Sequence, residues 1–338
     1  MKVAISGFGR IGRALFRIAM EKGHQVVLIN DLNPSAENIA YLANYDTIYG
    51  PLKSHFRLTA ESGSLKTSAG HAVELTNLED PAKLNLETAE IFFDCTGRSD
   101  NAKSLRALTR TYPGLKVVVS HDHPDAVMMS MSELRAGILP AAPDRIYSAG
   151  TCDGNAIAPV LSAALETYGD ISSGIVVTAH PWLSYQNVVD GPSVSWSAAG
   201  QVYEEFGLGR TVFNNLIPKS TTAVDVAKKI ARRPELDIGS FSYRVPTNIV
   251  SSAICDLRFD QPIEDTSPSV FHQALAGFGL GLSTEQLVSS DFVRRPEPGV
   301  VDCRWTRVSQ TSARVVLFYD NEFGYAASAM AYAEAITL

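Results

Sequence analysis

The stretch GFGRIG, residues 7–12, decides the fold of the N-terminal half of the chain. It fits the pattern G-x-G-x-x-G and lies between a short apolar run and a helical run. In that setting Gly7 permits a tight turn, Gly9 lets the backbone approach a pyrophosphate, and Gly12 allows the helix to pack closely on the strand. The stretch predicts a dinucleotide-binding βαβ unit. The alternative is an ordinary glycine turn between a strand and a helix.

An acidic residue after the second predicted strand supports the dinucleotide site. The run QVVLIN, residues 25–30, is followed by Asp31, which lies 24 residues after Gly7. A carboxylate at this place can accept hydrogen bonds from the adenosine ribose, and it would repel a 2′-phosphate. The sequence therefore favours NAD over NADP as the cofactor.

The chain changes its organisation near residue 151. Before that point, apolar runs such as 91–95 and 116–120 alternate with helical stretches, which favours right-handed βαβ units and a parallel sheet. After that point, apolar runs follow one another with few helices between them, which favours a mixed or antiparallel sheet. The length of 338 residues agrees with two domains.

Composition and charge exclude several classes of function. The net charge of −7 argues against a nucleic-acid surface or a polybasic membrane patch. No apolar run is long enough for a membrane span, and the four cysteines form no C-x-x-C pair, so neither a disulfide framework nor a zinc cage is expected. Because the sequence starts directly with a predicted strand, we expect no secretory signal. We therefore expect a cytoplasmic protein with no nucleic-acid partner and no membrane partner.

The candidate nucleophile is Cys152, in the segment SAGTCDGNAIAP, residues 148–159. It lies just before a predicted helix, where the positive end of the helix dipole lowers the pKa of a thiol. His180 ends the apolar run GIVVTAH and is the best candidate partner, because an imidazole can stabilise the thiolate and carry a proton. Spacing alone leaves open that Cys152 is a buried filler and His180 a satisfied core histidine.

Nine segments occur in an order and spacing that resemble the phosphorylating glyceraldehyde-3-phosphate dehydrogenases. They are GFGRIGR, INDLNP, NYDTIYG, CTG, the Cys152 segment, VDGPS, NLIPKSTTA, YRVPT and YDNEFGY. The resemblance covers essentially the whole chain and implies an α/β fold with two domains. An N-terminal Rossmann-type NAD domain would span 1–151 and be completed by a C-terminal helix over 320–338. An α+β catalytic domain with a mixed or antiparallel sheet would span 152–319. The resemblance also implies a homotetramer.

The resemblance implies a role for each matching residue. Cys152 would attack an aldehyde to form a thiohemiacetal with His180 as base, and hydride transfer to NAD would leave a thioester that an acceptor cleaves. Arg244, in YRVPT, would hold a substrate phosphate, and the alternative for it is an interdomain ion pair. The residues implied to bind NAD are Gly7, Gly9, Arg10, Ile11, Gly12, Asp31, Thr96, Gly97, Ser120 and Asn321.

The predicted substrate site departs from the family pattern. The family has S-N-A-S-C-T-T-N-C around its nucleophile, and here Asp153 replaces the threonine that helps to bind inorganic phosphate, while Thr151 keeps a hydroxyl in place of serine. Leu183 replaces the threonine that bonds the substrate phosphate. Thr221 matches another phosphate-binding threonine, and Thr222 replaces the glycine after it. An apolar side chain in place of a hydroxyl removes a donor to a charged acceptor.

These departures predict an NAD-dependent aldehyde dehydrogenase with an altered substrate or acyl acceptor, for example water instead of phosphate. The aldehyde is expected to be phosphorylated. Ordinary phosphorylating activity and a catalytically idle NAD-binding paralogue are the alternatives, and the retained Cys152, His180 and Asn321 argue against the idle one. A segment at 201–209, QVYEEFGLG, makes the chain longer than the family norm in a loop that builds a tetramer interface, so a changed assembly is also open.

No metal is expected. His121 and His123 have the spacing of a metal-binding pair, because both ring nitrogens at i and i+2 can reach one ion from a strand. A polar loop after a strand explains them equally well, and the family that the chain resembles holds no metal.

Overall fold

The computed structural model describes residues 1–61, 63–193 and 204–338. Its strands are β1 (Lys2–Ser6), β2 (Gln25–Asn30), β3 (Leu58–Glu61), β4 (Ser64–Thr67), β5 (Ala72–Thr76), β6 (Ile91–Asp94), β7 (Lys116–Val119), β8 (Val127–Met128), β9 (Ile146–Ser148), β10 (Ile171–Pro181), β11 (Ile217–Lys219), β12 (Ile238–Val245), β13 (Ser251–Phe259), β14 (Gly281–Ser283), β15 (Val300–Asp302), β16 (Arg307–Val308) and β17 (Ser312–Tyr319). Its helices are α1 (Arg10–Glu21), α2 (Ala36–Asn44), α3 (Ala102–Thr111), α4 (Met131–Arg135), α5 (Cys152–Tyr168), α6 (Ala223–Ile230), α7 (Pro268–Gly277) and α8 (Phe323–Thr337).

The chain divides into two compact units. The first contains residues 1–129, 137–150 and 326–338, and the second contains residues 130–136 and 151–325. The domain boundaries inferred from the sequence, at 151/152 and 319/320, remain predictions, because a division into compact units does not test them. None of the helices in the described ranges is long and apolar enough to cross a membrane.

The first unit is built on a nine-stranded sheet in the order β3-β4-β5-β2-β1-β6-β7-β9-β8. All neighbouring strands from β5 to β8 along this order pair in parallel, and β3, β4 and β5 pair antiparallel. The order reverses at β1, so the edge between β1 and β6 is a topological switch point, where α/β sheets bind their ligands. The Rossmann-type fold predicted from residues 7–12 is confirmed.

The second unit is built on a mixed sheet in the order β11-β12-β10-β13-β17-β15-β14, with β16 paired to β17. Strands β10 and β12 run parallel, whereas β13 pairs antiparallel with both β10 and β17. Alternate residues of β13 are buried, as expected where one sheet face packs on helices and the other does not. The mixed or antiparallel sheet predicted for this half is confirmed.

The predicted insertion at 201–209 lies partly outside the described residues. From Glu204 onward the chain is described, and a short 3-10 helix spans Phe206–Gly209. Leu208 is buried in a small apolar cluster with Val212 and Ile217. This end of the predicted insertion therefore packs within the second unit.

Candidate active site

The nucleophile segment forms the start of α5, in the second unit. Cys152 is the first residue of the helix, and the side-chain oxygen of Thr151 caps it by accepting a hydrogen bond from the Gly154 amide at 3.2 Å. Gly154 itself is needed for packing, because a Cβ there would lie 2.5 Å from Cγ1 of Val226 on α6. Cap and packing together fix the first turn of α5, and with it the position of the thiol.

His180 lies near the end of β10 and is buried. Its Nδ1 is 2.7 Å from the carbonyl oxygen of Pro181, so Nδ1 carries the hydrogen and donates it there. That tautomer leaves the lone pair on Nε2, which lies 3.6 Å from Sγ of Cys152. The structure therefore brings the two residues of the predicted nucleophile–base pair into contact.

The carboxylate of Asp153 lies beside both of these groups. Its Oδ1 is 3.5 Å from Sγ of Cys152 and 3.8 Å from Nε2 of His180. The hydroxyl of Tyr319, on β17, donates a hydrogen bond of 2.7 Å to the same oxygen and holds it in place. The sequence reasoning missed Tyr319, although it is the first residue of the quoted YDNEFGY motif, which was used only for Asn321.

Burial and the Asp153 carboxylate raise the pKa of the Cys152 thiol well above its ordinary value, and the charge of Arg244 opposes them only in part. The expectation that the helix dipole gives a thiol of lowered pKa is therefore wrong: desolvation and a neighbouring anion outweigh the helix terminus here. Burial also lowers the pKa of His180 to about 4, although Asp153 favours the charged imidazole. At neutral pH the pair is a thiol beside a neutral imidazole.

Arg244 lies beside His180 in the neighbouring strand, since the two residues are register partners on β12 and β10. It is buried, and its Nη2 donates a hydrogen bond of 3.4 Å to the hydroxyl of Tyr185. Within the described part of the chain, its Nε has no hydrogen-bond partner. A buried guanidinium with an unsatisfied donor is an unfavourable arrangement that an anionic ligand would relieve.

The other predicted substrate residues lie on two loops of the second unit. Leu183 follows β10, and its amide donates to the side chain of Gln186 at 3.0 Å. Thr221 precedes α6, and its hydroxyl oxygen accepts from the Ala223 amide at 3.1 Å. Thr222 is exposed at the start of α6 and makes no capping hydrogen bond with its side chain.

The glycine turn of the first unit has the geometry that a pyrophosphate site needs. Gly7 has a φ of +81°, and a Cβ there would lie 2.8 Å from the carbonyl of Cys95 after β6. A Cβ on Gly12 would lie 2.2 Å from the Gly7 oxygen, whereas Gly9 faces open space. The turn is therefore packed tightly at Gly7 and at Gly12. At Gly9, just before the first turn of α1, there is free space in which a pyrophosphate could approach the backbone. These residues fit a dinucleotide.

Asp31, which directly follows β2, is hydrogen-bonded to the same glycine turn. Its carboxylate accepts hydrogen bonds from the Phe8 amide at 2.6 Å and from the Asn33 amide at 2.9 Å. Arg10 forms an ion pair with Asp46, with 2.5 Å between Nη1 and Oδ2. Ile11 follows it in the first turn of α1, and its side chain is half-buried. The acid is thus next to the glycine turn, as its predicted role requires.

Of the remaining predicted cofactor residues, all except Asn321 follow the ends of parallel strands. The Thr96 hydroxyl donates to Asp94 at 2.6 Å after β6, with Gly97 next at a φ of +70°. Ser120 follows β7. Because the carboxyl ends of parallel strands meet at one edge of a sheet, these residues share an edge with Gly7.

Asn321 belongs to the second unit, and its buried Oδ1 accepts from the Val250 amide at 3.1 Å. Val250 has a φ of +69°, a strained conformation for a β-branched residue. The backbone is therefore held in an uncommon shape at the point where it fixes the orientation of the Asn321 amide.

Comparisons with known proteins agree with this arrangement. Residues 1–102 match the family model for the NAD-binding domain of glyceraldehyde 3-phosphate dehydrogenase, and residues 151–321 match the model for its C-terminal domain. The chain belongs to the glyceraldehyde-3-phosphate dehydrogenase family. Membership, together with the fitting glycine turn, makes the protein an NAD-dependent oxidoreductase.

The similarity to individual members of the glyceraldehyde-3-phosphate dehydrogenase family is moderate and covers nearly the whole chain. The cytosolic enzyme of Chlamydomonas reinhardtii is 31% identical, over 96% of this chain and 93% of the relative. The enzyme of Priestia megaterium is 29% identical, over 96% and 95%. Glyceraldehyde-3-phosphate dehydrogenase 1 of Globodera rostochiensis is 31% identical, over 95% and 99%.

Proposed function

We propose that this protein oxidises a phosphorylated aldehyde with NAD through a thioester on Cys152, and that water, not inorganic phosphate, releases the acyl group. The observation that carries the proposal is the Asp153 carboxylate, whose Oδ1 lies 3.5 Å from the nucleophilic sulfur. It stands where the family pattern has a phosphate-binding threonine. A fixed anion at this place repels an anionic acceptor and does not repel a neutral one.

The first step is the attack of the thiol on the aldehyde carbon. His180 takes the thiol proton on Nε2 as the C–S bond forms, because Nε2 faces Sγ with its lone pair and the neutral imidazole is free to accept. Asp153 stabilises the resulting imidazolium from 3.8 Å. When bound, NAD would supply the acceptor for the hydride of the thiohemiacetal carbon, and a thioester on Cys152 would remain.

The second step is hydrolysis of that thioester. The imidazolium of the first step releases its proton to solvent, which leaves the lone pair of Nε2 free again. A water molecule beside His180 then gives a proton to Nε2 and attacks the acyl carbon, and the C–S bond breaks to release a carboxylic acid. The thiolate recovers a proton from the imidazolium, and the acid loses its own proton to solvent. One aldehyde, one NAD and one water are consumed, and one carboxylate, one NADH and two protons are formed.

Arg244 supports a phosphorylated aldehyde in preference to a neutral one. Its guanidinium is buried, its Nε has no hydrogen-bond partner in the described ranges, and it lies in the strand beside His180. An anionic group of the substrate would supply the charge-assisted hydrogen bonds that Nε lacks. Because Leu183 offers no hydroxyl, we expect Arg244 to carry more of the phosphate binding than it does in the family pattern.

The test is NADH formation from a panel of phosphorylated aldehydes, with and without inorganic phosphate, combined with identification of the product. We expect turnover without phosphate and a carboxylate product that hydroxylamine does not trap. The names of the relatives favour a second candidate, ordinary phosphorylating oxidation of glyceraldehyde 3-phosphate. Saturable dependence on phosphate and a trappable acyl phosphate would establish that candidate in place of ours.

We also propose that the protein is a homo-oligomer, with four copies as the favoured number. The outer face of the second sheet supports this, because Ile175, Phe241 and Ile254 on three neighbouring strands are exposed apolar side chains. Measurement of the molar mass in solution tests it, and a monomer at micromolar concentration would contradict it.

The free cysteines support a reducing, cytoplasmic location.

A further inference from the structure

We propose that Cys152, Asp153 and His180 form a binding site for Zn²⁺, and that the ion reversibly blocks the nucleophile. The three side chains offer a sulfur, a carboxylate oxygen and an imidazole nitrogen, and these atoms lie within 4.8 Å of one another. Sulfur and nitrogen ligands with one carboxylate are a donor set that zinc prefers. The inference goes beyond the sequence expectation of no metal, because it depends on Asp153, a departure from the family pattern.

The separations of the three donor atoms fit a tetrahedral ion. Zinc bonds of about 2.3 Å to sulfur and about 2.0 to 2.1 Å to nitrogen and oxygen place ligands roughly 3.6 Å apart for the pairs with sulfur and roughly 3.3 Å apart for nitrogen and oxygen. The observed separations are 3.6 Å from Sγ to Nε2, 3.5 Å from Sγ to Oδ1 and 3.8 Å from Nε2 to Oδ1. A shift of a few tenths of an ångström in one pair completes the geometry.

The atoms behind the ligands already hold them in the orientation that a metal requires. Nδ1 of His180 donates to the Pro181 carbonyl at 2.7 Å, which keeps the lone pair of Nε2 directed at the other two donors. The Tyr319 hydroxyl donates to Asp153 at 2.7 Å and fixes the carboxylate. Hydrogen bonds of this kind to histidine and carboxylate ligands are a regular feature of zinc sites.

Charge and access agree with a bound divalent cation. A thiolate and a carboxylate neutralise Zn²⁺, so the loaded site carries no net charge, although the nearby cation of Arg244 opposes binding. Asp153 and His180 are buried, whereas Cys152 is only partly buried, so the ion enters from the side of the thiol. On binding, the Zn–S bond replaces the S–H bond and the proton leaves to solvent. A sulfur bonded to zinc cannot attack an aldehyde, and the fourth ligand position is open to water.

The binding test uses the full chain, stripped of metal, and zinc alone as the ligand. Titration against a zinc-competing indicator should give one equivalent per chain, and Co²⁺ as a spectroscopic substitute should give a sulfur-to-cobalt charge-transfer band with tetrahedral visible absorption. Asp153→Asn keeps the shape of the side chain and should weaken binding at least about tenfold, since a ligand is lost. Cys303→Ser removes a cysteine outside the cluster and is the matched control, expected to bind as the parent does.

Equal zinc affinity in the parent and in Asp153→Asn, or the same cobalt spectrum in Cys152→Ser, would overturn the proposal. If Cys152→Ser fails to fold, the Asp153→Asn titration decides alone. Zinc should also suppress aldehyde oxidation, competitively with aldehyde, and a chelator should restore it. Binding and spectrum are measured without substrate, so a failure of the zinc site is distinguishable from a failure of the proposed reaction.

Discussion

Replacing Asp153 by threonine tests the proposed acceptor most directly. A phosphate that attacks the thioester must approach the carbon bonded to Sγ, and Oδ1 of Asp153 is 3.5 Å from that sulfur. The attacking anion therefore comes within about 5 Å of the carboxylate, where repulsion is about 3 kcal/mol per unit charge at an effective dielectric constant of 20. This corresponds to more than about a hundredfold in affinity for phosphate.

The assay is NADH formation from glyceraldehyde 3-phosphate at increasing phosphate concentration, in the parent and in Asp153→Thr. We expect little phosphate dependence in the parent and a gain of at least about tenfold in phosphate-dependent kcat/KM in the variant, a cautious fraction of the electrostatic figure. Asp225→Thr makes the same change at an exposed carboxylate of α6 and is the control. A parent enzyme that already saturates with phosphate would refute the reasoning, and so would a variant whose phosphate dependence is unchanged.

The same variant has a second readout that does not involve phosphate. Because the carboxylate raises the pKa of the Cys152 thiol, its removal should move the midpoint of thiol alkylation to lower pH. Inactivation by iodoacetamide as a function of pH measures the shift. An unchanged midpoint would show that burial alone sets the pKa of the thiol.

Four further predictions concern other residues. Cys152→Ser and His180→Asn should each abolish turnover while NAD binding, followed by fluorescence, survives; turnover above about a tenth of the parent rate in Cys152→Ser would exclude the covalent mechanism. The parent should prefer NAD to NADP, because Asp31 would face the 2′-phosphate; equal kcat/KM for the two cofactors would contradict this. Leu183→Thr should lower the KM for a phosphorylated aldehyde and leave the KM for NAD unchanged, as initial rates will show. Since burial lowers the pKa of His180 from 6.5 to about 4, the unfolded chain binds more protons in that window, so stability falls on acidification from pH 6.5 to 4. His180→Asn should flatten that slope in denaturant titrations, and an equal slope in both proteins would contradict the assignment.

The local parts of the fold and site were predictable, because they depend on neighbours in sequence. The glycine turn with Asp31 needs one βαβ unit, and its geometry follows from the pattern of residues 7–12. The contact between Tyr319 and Asp153 spans 166 residues, and no periodicity or spacing reports it. The pKa of the thiol was mispredicted for the same reason, since a helix terminus is visible in the sequence while burial and the orientation of a side chain are not.

The position of Asp153 has opposite effects on the two catalytic groups. It disfavours the thiolate of Cys152 and favours the imidazolium of His180. These two effects oppose each other in the free energy of proton transfer from sulfur to Nε2. The resting pair therefore stays neutral, and the thiol becomes nucleophilic only as an aldehyde carbon accepts its electrons. Once the thioester has formed, the thiolate is gone and only the effect on the imidazole remains. At that stage the carboxylate increases the basicity of Nε2 toward water. A threonine cannot do this, and the residue therefore acts mainly on the second half of the reaction, where water and phosphate compete as acceptors.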